Sequence, residues 1–187
     1  MIKAKKSLSQ NFIIDKNICK KIVKQTNINN KIVIEIGPGY GFLTDILLIN
    51  NPKQILLIEK DSHLVLFLKQ KYKNNNKVKI LNNDVIEFDF SKFKNVKIIS
   101  NLPYNISTKI ILYLFNFNKN ISEMVFMIQK EVALKFDYNL IKMNKYKFLT
   151  KIVSTFSICF DVSPKVFIPK PKVYSSVVKF KFNKNKF

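Results

Sequence analysis

Apolar positions along the chain switch repeatedly between the short continuous runs of buried strands and the wider spacing of helices. Residues 15–26 are predicted to form a helix capped by Asp15. Strands are then predicted for KIVIEI (31–36), QILLIE (54–59), KVKIL (77–81), NVKIIS (95–100) and SEMVFMIQ (122–129). Helices are predicted for FLTDILLI (42–49), DSHLVLFLKQKY (61–72), STKIILYLF (107–115) and KEVALKF (130–136). This alternation predicts an α/β fold, in which a mostly parallel sheet carries helices on both faces.

The last part of the chain has a different pattern. TFSICFDVS (155–163) and YSSVVKFKF (174–182) both resemble strands, and the proline-rich stretch PKVFIPKPKV (164–173) joins them. They are predicted to pair antiparallel, because no helical spacing separates them as a parallel crossover would require. At 187 residues and without an internal repeat, the chain is predicted to be a single domain (1–187) with its sheet-and-helix core at 31–182.

The charge balance of the chain indicates what kind of partner it binds. All 33 basic residues are lysines, only 12 residues are acidic, and the net charge is +21. The abundance of Lys, Asn, Ile and Phe is typical of a low-GC coding pool, so part of the lysine excess is discounted. The remaining imbalance still favours a polyanionic partner over a merely basic surface.

Cysteine usage and apolar run lengths bear on location. Cys19 and Cys159 lie far apart with no CxxC pair, which predicts reduced thiols and no metal site. The N-terminus lacks the apolar core of a secretory signal, and no apolar run approaches the roughly 18 residues of a membrane span. We therefore expect a cytoplasmic protein without a membrane partner.

Every glycine of the chain, Gly37, Gly39 and Gly41, lies in EIGPGYG, where a predicted strand gives way to a helix. Glycines there permit a tight turn, and side chains at these positions are predicted to crowd a cofactor. The spacing is G-x-G-x-G, whereas phosphate-binding loops use G-x-G-x-x-G. The carboxylate of Glu35, just before them, would repel a phosphate but accept bonds from a cationic amino-acid group. The stretch therefore favours S-adenosylmethionine over a nucleotide phosphate or a plain turn.

Two more acidic residues follow the next two predicted strands. Glu59 stands roughly 20 residues after the glycine turn, where an acidic side chain binds the two ribose hydroxyls of an adenine nucleoside. Taken alone, Glu59 also fits a strand-end charge paired with Lys60. Asp84 is placed to accept from an adenine amino group, or to cap a turn. Because the ends of parallel strands share one sheet edge, Glu35, Glu59 and Asp84 together predict a cofactor site.

NLPYN (101–105) follows the fourth predicted strand and opens on the same edge. The side-chain oxygen of Asn101 and the carbonyl of Leu102 can accept both N–H bonds of an exocyclic amino group. This arrangement aims the nitrogen lone pair at a methyl donor. Pro103 stiffens the turn, and Tyr104 offers a face on which a base stacks.

A base enters such a pocket only when it is unstacked, and aromatic side chains capture unstacked bases. Phe167 is a candidate second stacking face, with burial in the core as its alternative. No side-chain general base is predicted, and His63, the only histidine, is assigned to the surface.

Taken together, the motifs resemble the ribosomal RNA adenine-N6,N6-dimethyltransferases. The matching stretches are SLSQNF, EIGPGYGFLT, NLPYNIST, FMIQKEVA and VFIPKPKVYSSVV, between residues 7 and 178. The resemblance implies a class I methyltransferase fold, Rossmann-like, with a seven-stranded sheet and a terminal antiparallel strand. It implies S-adenosylmethionine contacts at Asn11, Ile13, Gly37, Glu59, Asp84 and Asn101. It also implies that residues 1–30 comprise a lid over the cofactor and a helix.

The chain departs from the family pattern in several places. Ser9 replaces a usual glycine, and YKFLT (146–150) lacks an expected Gly and Arg. Without any arginine, every phosphate contact must come from lysine, which lacks the bidentate fork of a guanidinium. The family's small helical C-terminal domain is expected to be absent after KFKFNKNKF, with the chemistry retained and the targeting weakened.

The resemblance implies dimethylation of two adjacent adenines near the 3′ end of small-subunit ribosomal RNA, by a monomer. One alternative is the erythromycin-resistance type, which methylates a large-subunit adenine, and NLPYNIST with FIPKPKV favours the small subunit. Another is a ribosome-assembly factor with little catalysis, against which the intact glycine loop and NLPY argue. A DNA adenine methyltransferase is disfavoured, since those enzymes typically carry an acidic residue in place of Asn101.

Overall fold

The computed structural model describes residues 10–183, which contain nine strands and six α-helices. The strands are β1 (Phe12–Ile13), β2 (Ile32–Ile36), β3 (Gln54–Glu59), β4 (Val78–Asn82), β5 (Val96–Asn101), β6 (Ile121–Gln129), β7 (Ser154–Val162), β8 (Phe167–Ile168) and β9 (Ser175–Phe182). The helices are α1 (Lys16–Val23), α2 (Phe42–Ile49), α3 (Ser62–Lys71), α4 (Ser107–Phe115), α5 (Lys130–Phe136) and α6 (Lys145–Val153). Two 3-10 turns cover Val85–Glu87 and Pro164–Val166.

Seven strands form one sheet in the order β4-β3-β2-β5-β6-β9-β7. Neighbours from β4 to β6 are parallel, whereas β9 is antiparallel to both β6 and β7. The predicted mostly parallel sheet and the antiparallel pairing near the C-terminus are confirmed. The strand order reverses beside β2, and in open α/β sheets ligands bind at the carboxyl ends of the strands at such a point.

Two apolar clusters cover the two faces of the sheet. Successive strand residues point to opposite faces, so Ile34 belongs to one cluster and Val33 to the other. Phe126 and Met127 of β6 divide in the same way. Strands buried on both faces need continuous apolar runs, which explains why those runs predicted the strands so closely.

Helix boundaries follow local signals. Three predicted helices, α2, α4 and α5, have the boundaries that the spacing gave. The side chain of Asp15 accepts from two N–H groups of α1, and that of Asp61 accepts from His63 at the start of α3. These caps satisfy amides that have no partner inside a helix.

Three elements were not predicted. The helix α6 covers the stretch that contains YKFLT, and the side chain of Asn144 caps it by accepting from Tyr146 and Lys147. The strands β1 and β8 form a separate antiparallel pair, in which Phe12 is opposite Ile168. Each is only two residues long, so no local periodicity could reveal a pairing made across most of the chain.

Two features that the sequence did not predict are a membrane-spanning helix and a metal site. Between residues 10 and 183 no helix is long and apolar enough to cross a membrane. That range also holds no cluster of His, Cys, Asp and Glu suited to a metal ion, and Cys19 and Cys159 are free thiols. Ser9 and the rest of residues 1–9 of the expected lid lie outside the described residues.

Candidate active site

A cavity of about 260 Å³ opens at the carboxyl edge of the sheet. Its walls come from the ends of β2, β3 and β5, the loop after β4, and residues 10–13. Ten of the predicted site residues line it: Asn11, Ile13, Glu35, Gly37, Gly39, Glu59, Asp84, Asn101, Leu102 and Pro103. Gly41, Tyr104 and Phe167 do not line the cavity. The topology therefore collects most of the predicted residues in one place.

The glycine loop requires glycine for reasons that do not depend on a cofactor. All three have positive φ, at 63°, 59° and 77° for Gly37, Gly39 and Gly41. A Cβ on Gly39 would stand 2.6 Å from the ring of Phe12, and one on Gly41 would collide with the hydroxyl of Tyr72. A Cβ on Gly37 would make only an ordinary contact, 3.8 Å from Pro103. Backbone conformation and the protein's own side chains thus account for these glycines without a bound cofactor.

Gly41, which was predicted to bind the cofactor, lies next to the cavity lining and has a structural role of its own. It caps the start of α2, and its carbonyl accepts from the Tyr72 hydroxyl at 3.0 Å. The same hydroxyl donates to Asp45 at 2.7 Å, and burial raises the pKa of Tyr72 above its ordinary value. Tyr72 therefore supports the loop from behind, away from the cavity lining.

Glu35 is almost completely buried at the end of β2 and lines the cavity. Its Oε2 accepts from the hydroxyl of Thr44 at 2.6 Å. Desolvation raises the pKa of Glu35 to about 8 despite that hydrogen bond. A cation bound beside it would favour the ionised form, so this carboxyl suits a positively charged ligand group.

Glu59 presents both carboxylate oxygens to the mouth of the glycine loop. Oε1 accepts from the backbone N–H of Asp61 at 2.9 Å, and Oε2 from that of Gly39 at 3.3 Å. Burial raises the pKa of Glu59 above its ordinary value. Each oxygen of a carboxylate can accept a second bond, so Glu59 is held in place with capacity for two hydroxyl donors.

Asp84 follows β4 and serves as both cap and lining residue. Its Oδ1 accepts from the N–H of Ile86, and its Oδ2 pairs with Lys60 at 2.7 Å. Burial opposes ionisation, but the bonds from Lys60 and Ile86 outweigh it and hold the pKa of Asp84 below its ordinary value. Lys60 thus pairs with Asp84 rather than with Glu59, the pairing that the sequence had left open.

Asn101 ends β5 and faces the cavity with one satisfied and one unsatisfied group. Its Nδ2 donates to the carbonyl of Asn11 at 2.8 Å. Its Oδ1 is the one buried side-chain polar atom within residues 10–183 that has no hydrogen-bond partner. A buried acceptor without a partner costs stability, so its persistence points to a donor supplied by a ligand.

The two predicted stacking residues, Tyr104 and Phe167, lie outside the cavity lining and contact each other. The hydroxyl of Tyr104 and the Oγ of Ser175 are 2.6 Å apart, and the Tyr104 ring is half-buried. Phe167 is 3% exposed and packs in the core, which is the alternative the sequence offered. The two rings meet edge to face, with centroids 6.5 Å apart. In this arrangement Phe167 supports Tyr104 and does not itself present a face.

Sequence reasoning missed two side chains that shape the site. Phe12 fills the space that Gly39 leaves open and packs edge to face on Tyr40, with centroids 5.0 Å apart. Thr44 holds the Glu35 carboxyl. The glycine pattern carried a signal for the first, since a residue without Cβ marks close approach of another group, but not which group approaches.

The acceptors around the cavity fit S-adenosylmethionine. A buried carboxyl with raised pKa suits a cationic amino-acid group, and a doubly held carboxylate suits a pair of ribose hydroxyls. Asp84 adds an acceptor further along the same edge. The unpartnered Oδ1 of Asn101 is the independent sign that the cavity is built to receive a donor.

Sequence comparison relates the chain to proteins whose names agree with a methyltransferase site of this kind. A sequence model of the family described as ribosomal RNA adenine dimethylase matches residues 1–187. The chain is 43% identical over 188 residues to a protein of Malacoplasma penetrans named ribosomal RNA small subunit methyltransferase A, covering 97% of this chain and 67% of the relative. It is 38% identical over 193 residues to the protein of that name from Pelagibacter ubique, covering 100% and 73%.

Solved structures agree on the fold. A dimethyladenosine transferase from Plasmodium falciparum superposes with a TM-score of 0.82 at 27% identity, covering 94% of this chain and 65% of that one. A 23S rRNA methyltransferase, ErmE, gives a TM-score of 0.84 at 21% identity, covering 92% and 70%. The likeness to ErmE shows a shared fold and does not distinguish between substrates.

Proposed function

Because the chain belongs to the ribosomal RNA adenine dimethylase family, we propose that it dimethylates N6 of two adjacent adenines near the 3′ end of small-subunit ribosomal RNA. The methyl donor is S-adenosylmethionine. The observation that carries the proposal is the buried, unpartnered Oδ1 of Asn101, a residue that lines the cavity together with three carboxyl groups. The names of the curated relatives support the small subunit as the source of the substrate.

Each proposed cofactor-binding residue contacts a different part of S-adenosylmethionine. Glu35 accepts from its amino-acid group, Glu59 from its ribose and Asp84 from its adenine, while Asn11 and Ile13 cover it. When bound, S-adenosylmethionine supplies a methyl group activated by its positively charged sulfur. The edge-to-face contact of Phe12 with Tyr40 holds the covering segment against the glycine loop.

Asn101 and Leu102 position the acceptor. The Asn101 amide cannot turn over freely, because its Nδ2 is committed to the Asn11 carbonyl, and this commitment leaves Oδ1 as the acceptor available to a ligand. Oδ1 and the Leu102 carbonyl accept the two N–H bonds of adenine N6, so that its lone pair points away from both. Holding the nitrogen in that orientation is an entropic and electrostatic contribution to rate. Pro103 lines the turn and Tyr104 stacks on the base.

The surroundings of the site suggest the partner and the location. A net charge of +21 favours a polyanion, and the proposed partner is the small-subunit RNA or the immature small subunit. The free thiols Cys19 and Cys159 fit the reducing cytoplasm, and burial raises the pKa of Cys19 to about 12, which makes it unreactive. We propose that one copy of the chain, as a single catalytic domain over 1–187, acts without a metal.

A mapping experiment tests this function. The protein is incubated with labelled S-adenosylmethionine and, separately, undermethylated small subunits, large subunits and DNA, and the labelled base is identified. The expected result is N6,N6-dimethyladenine at two adjacent positions of the small-subunit RNA only. Label confined to large subunits or DNA contradicts the proposal. Binding of small subunits without label on any substrate would support the assembly-factor alternative instead.

A further inference from the structure

An exposed ridge, residues 168–174 (IPKPKVY), stands next to the acceptor loop. It connects β8 to β9, and β9 begins with Ser175 opposite Gln129, the last residue of β6. On its other side β6 pairs with β5, where Met127 is opposite Asn101. The ridge therefore lies at the sheet edge that carries Asn101, two strands away, which is roughly 10 Å at the usual spacing of strands.

Both ends of the ridge are tied to Tyr104. Phe167, just before it, packs edge to face on the Tyr104 ring. Ser175, just after it, is completely buried, and its Oγ lies 2.6 Å from the Tyr104 hydroxyl. Any molecule that stacks on Tyr104 thus lies beside the ridge.

The ridge has a stiff backbone that presents apolar side chains to solvent. Pro169 and Pro171 each fix one backbone angle, and the Tyr174 carbonyl accepts from the N–H of Lys130 at 3.0 Å. Against this backbone Ile168 and Val173 are each 41% exposed, and Tyr174 is 57% exposed. A rigid exposed ring binds a planar partner with little loss of conformational entropy.

The charge of the ridge is positive and unopposed within its own sequence. Lys170 and Lys172 are exposed, and residues 164–174 contain no acidic side chain. The nearby Lys130, in contrast, pairs with Asp161 at 2.6 Å. Aromatic faces interleaved with lysines are typical of surfaces that bind single-stranded nucleic acid.

We infer that the ridge binds the unpaired nucleotides flanking the target adenine, with the Tyr174 ring stacked on one flanking base and Lys170 and Lys172 at the backbone phosphates. The inference rests on the proposed function and deepens it, because it identifies which part of the RNA this site grips. It assigns Tyr174 to RNA affinity, while Tyr104 faces the target base itself.

Substitution of Tyr174 tests the inference by direct binding. The probes are two short single-stranded RNAs with adjacent adenines, one with 2-aminopurine on the 5′ side of the pair and the other with it on the 3′ side. Wild-type protein is expected to quench the fluorescence of one probe by stacking. Tyr174→Ala should abolish that quenching and raise the Kd for the RNA roughly tenfold, the effect of one lost base–aromatic stack. Tyr174→Phe should behave like wild type, because the ring face binds and not the hydroxyl.

Phe148→Ala is the matched control. Phe148 is 58% exposed on α6, which leads into β7 at Ser154, opposite Phe182 at the far end of β9 from the ridge. This variant should leave quenching and Kd unchanged, and the Kd for S-adenosylmethionine should be the same in all four proteins. Equal quenching and Kd in Tyr174→Ala and wild type would overturn the inference, as would absence of quenching by wild type. A wild-type protein that quenches but transfers no methyl group to small subunits would contradict the proposed function and leave the ridge supported.

Discussion

The two sides of Asn101 are built on opposite principles. On the cofactor side, Glu35 and Glu59 are buried, their pKa values are raised, and each is held by hydrogen bonds inside the protein. On the acceptor side, the ridge is exposed and carries lysines without acidic neighbours in its sequence. One side is a nearly finished cavity and the other is an open edge.

The difference shows how one sheet edge can select two ligands of opposite charge. Buried carboxyl groups select a small cation by giving up their protons to bind it, whereas exposed lysines attract a polyanion over longer distances. Asn101 lies between the two sides and carries no charge. Its Nδ2 donates to the Asn11 carbonyl on the cofactor side, and its Oδ1 remains available as an acceptor. A neutral group there avoids attracting either ligand into the other's place.

Removing the border residue should have the largest effect. Asn101→Ala is expected to lower kcat by about 100- to 1,000-fold, the usual cost of one preorganised polar contact in a reacting site. The Kd for S-adenosylmethionine should change far less, since Glu35 and Glu59 remain. Single-turnover rates and equilibrium dialysis separate the two quantities. Unchanged turnover would remove Asn101 from the role proposed for it.

The next largest effect is expected from salt, which should weaken RNA binding much more than S-adenosylmethionine binding. If about four phosphates are contacted by lysine, raising the salt concentration from 50 to 200 mM is expected to weaken RNA binding about 50-fold. The Kd for S-adenosylmethionine should vary little, because its partners are buried and screened less. Parallel titrations of both ligands at several salt concentrations check this. Equal salt dependence for the two ligands would argue against the contrast.

The glycine loop tests whether the cofactor side is shaped by the protein or by its ligand. Gly39→Ala should cost about 1–2 kcal/mol of strain at positive φ plus the displacement of Phe12, and Gly37→Ala the strain alone. Urea unfolding should therefore show a larger loss for Gly39→Ala. A variant at Gly37 that keeps its stability but loses affinity for S-adenosylmethionine would restore the explanation by cofactor crowding.

The pH dependence of the free energy of unfolding should show the ionisation of the buried Glu35 carboxyl. Because the pKa of Glu35 rises from 4.5 to about 8 on folding, its contribution to stability is complete below pH 4.5 and is lost as the pH rises through 8. Between these values the free energy of unfolding should fall by as much as about 1.4 kcal/mol for each pH unit. Urea titrations from pH 5 to 8 measure this slope, and Glu35→Gln should flatten it. An identical slope in both proteins would show that Glu35 is already ionised.

The smallest effect is expected at the exposed ion pair behind Asp84. The Lys60 side chain is 64% exposed, and ion pairs of exposed side chains contribute little to stability. Lys60→Met should weaken S-adenosylmethionine binding by no more than about fivefold, as measured by isothermal titration calorimetry. A larger loss would mean that Lys60 fixes the Asp84 carboxylate for the cofactor.

The sequence predicted the inner strands of the sheet well because they are largely buried on both faces. Apolar runs such as QILLIE leave little choice of element, and β3 has the predicted boundaries. The cofactor acceptors were predictable for a related reason, since parallel strands bring Glu35, Glu59 and Asp84 to one edge whatever their side chains do.

What the sequence could not predict depends on contacts between distant residues. The reason for Gly39 is Phe12, and the reason for Gly41 is Tyr72. Local spacing gives the positions of these glycines but not the side chains that approach them. Phe167 illustrates the same point, because the local sequence around an aromatic residue in a proline-rich stretch does not show whether its ring faces a base or the core. In the structure Phe167 packs in the core. The helix α6 was missed because its start depends on a cap at Asn144 in a polar stretch.

The pairing of β1 with β8 has a consequence for the order in which the protein is made. Phe12 and Ile13 are paired with Ile168 and Phe167, which are synthesised about 155 positions later. The N–H of Ile14 likewise waits for the carbonyl of Val166. A growing chain can therefore form the five parallel strands β2 to β6 well before the residues that pair over its methyl-donor cavity have been made. Tight retention of the donor is thus expected only after Phe167 and Ile168 have been synthesised.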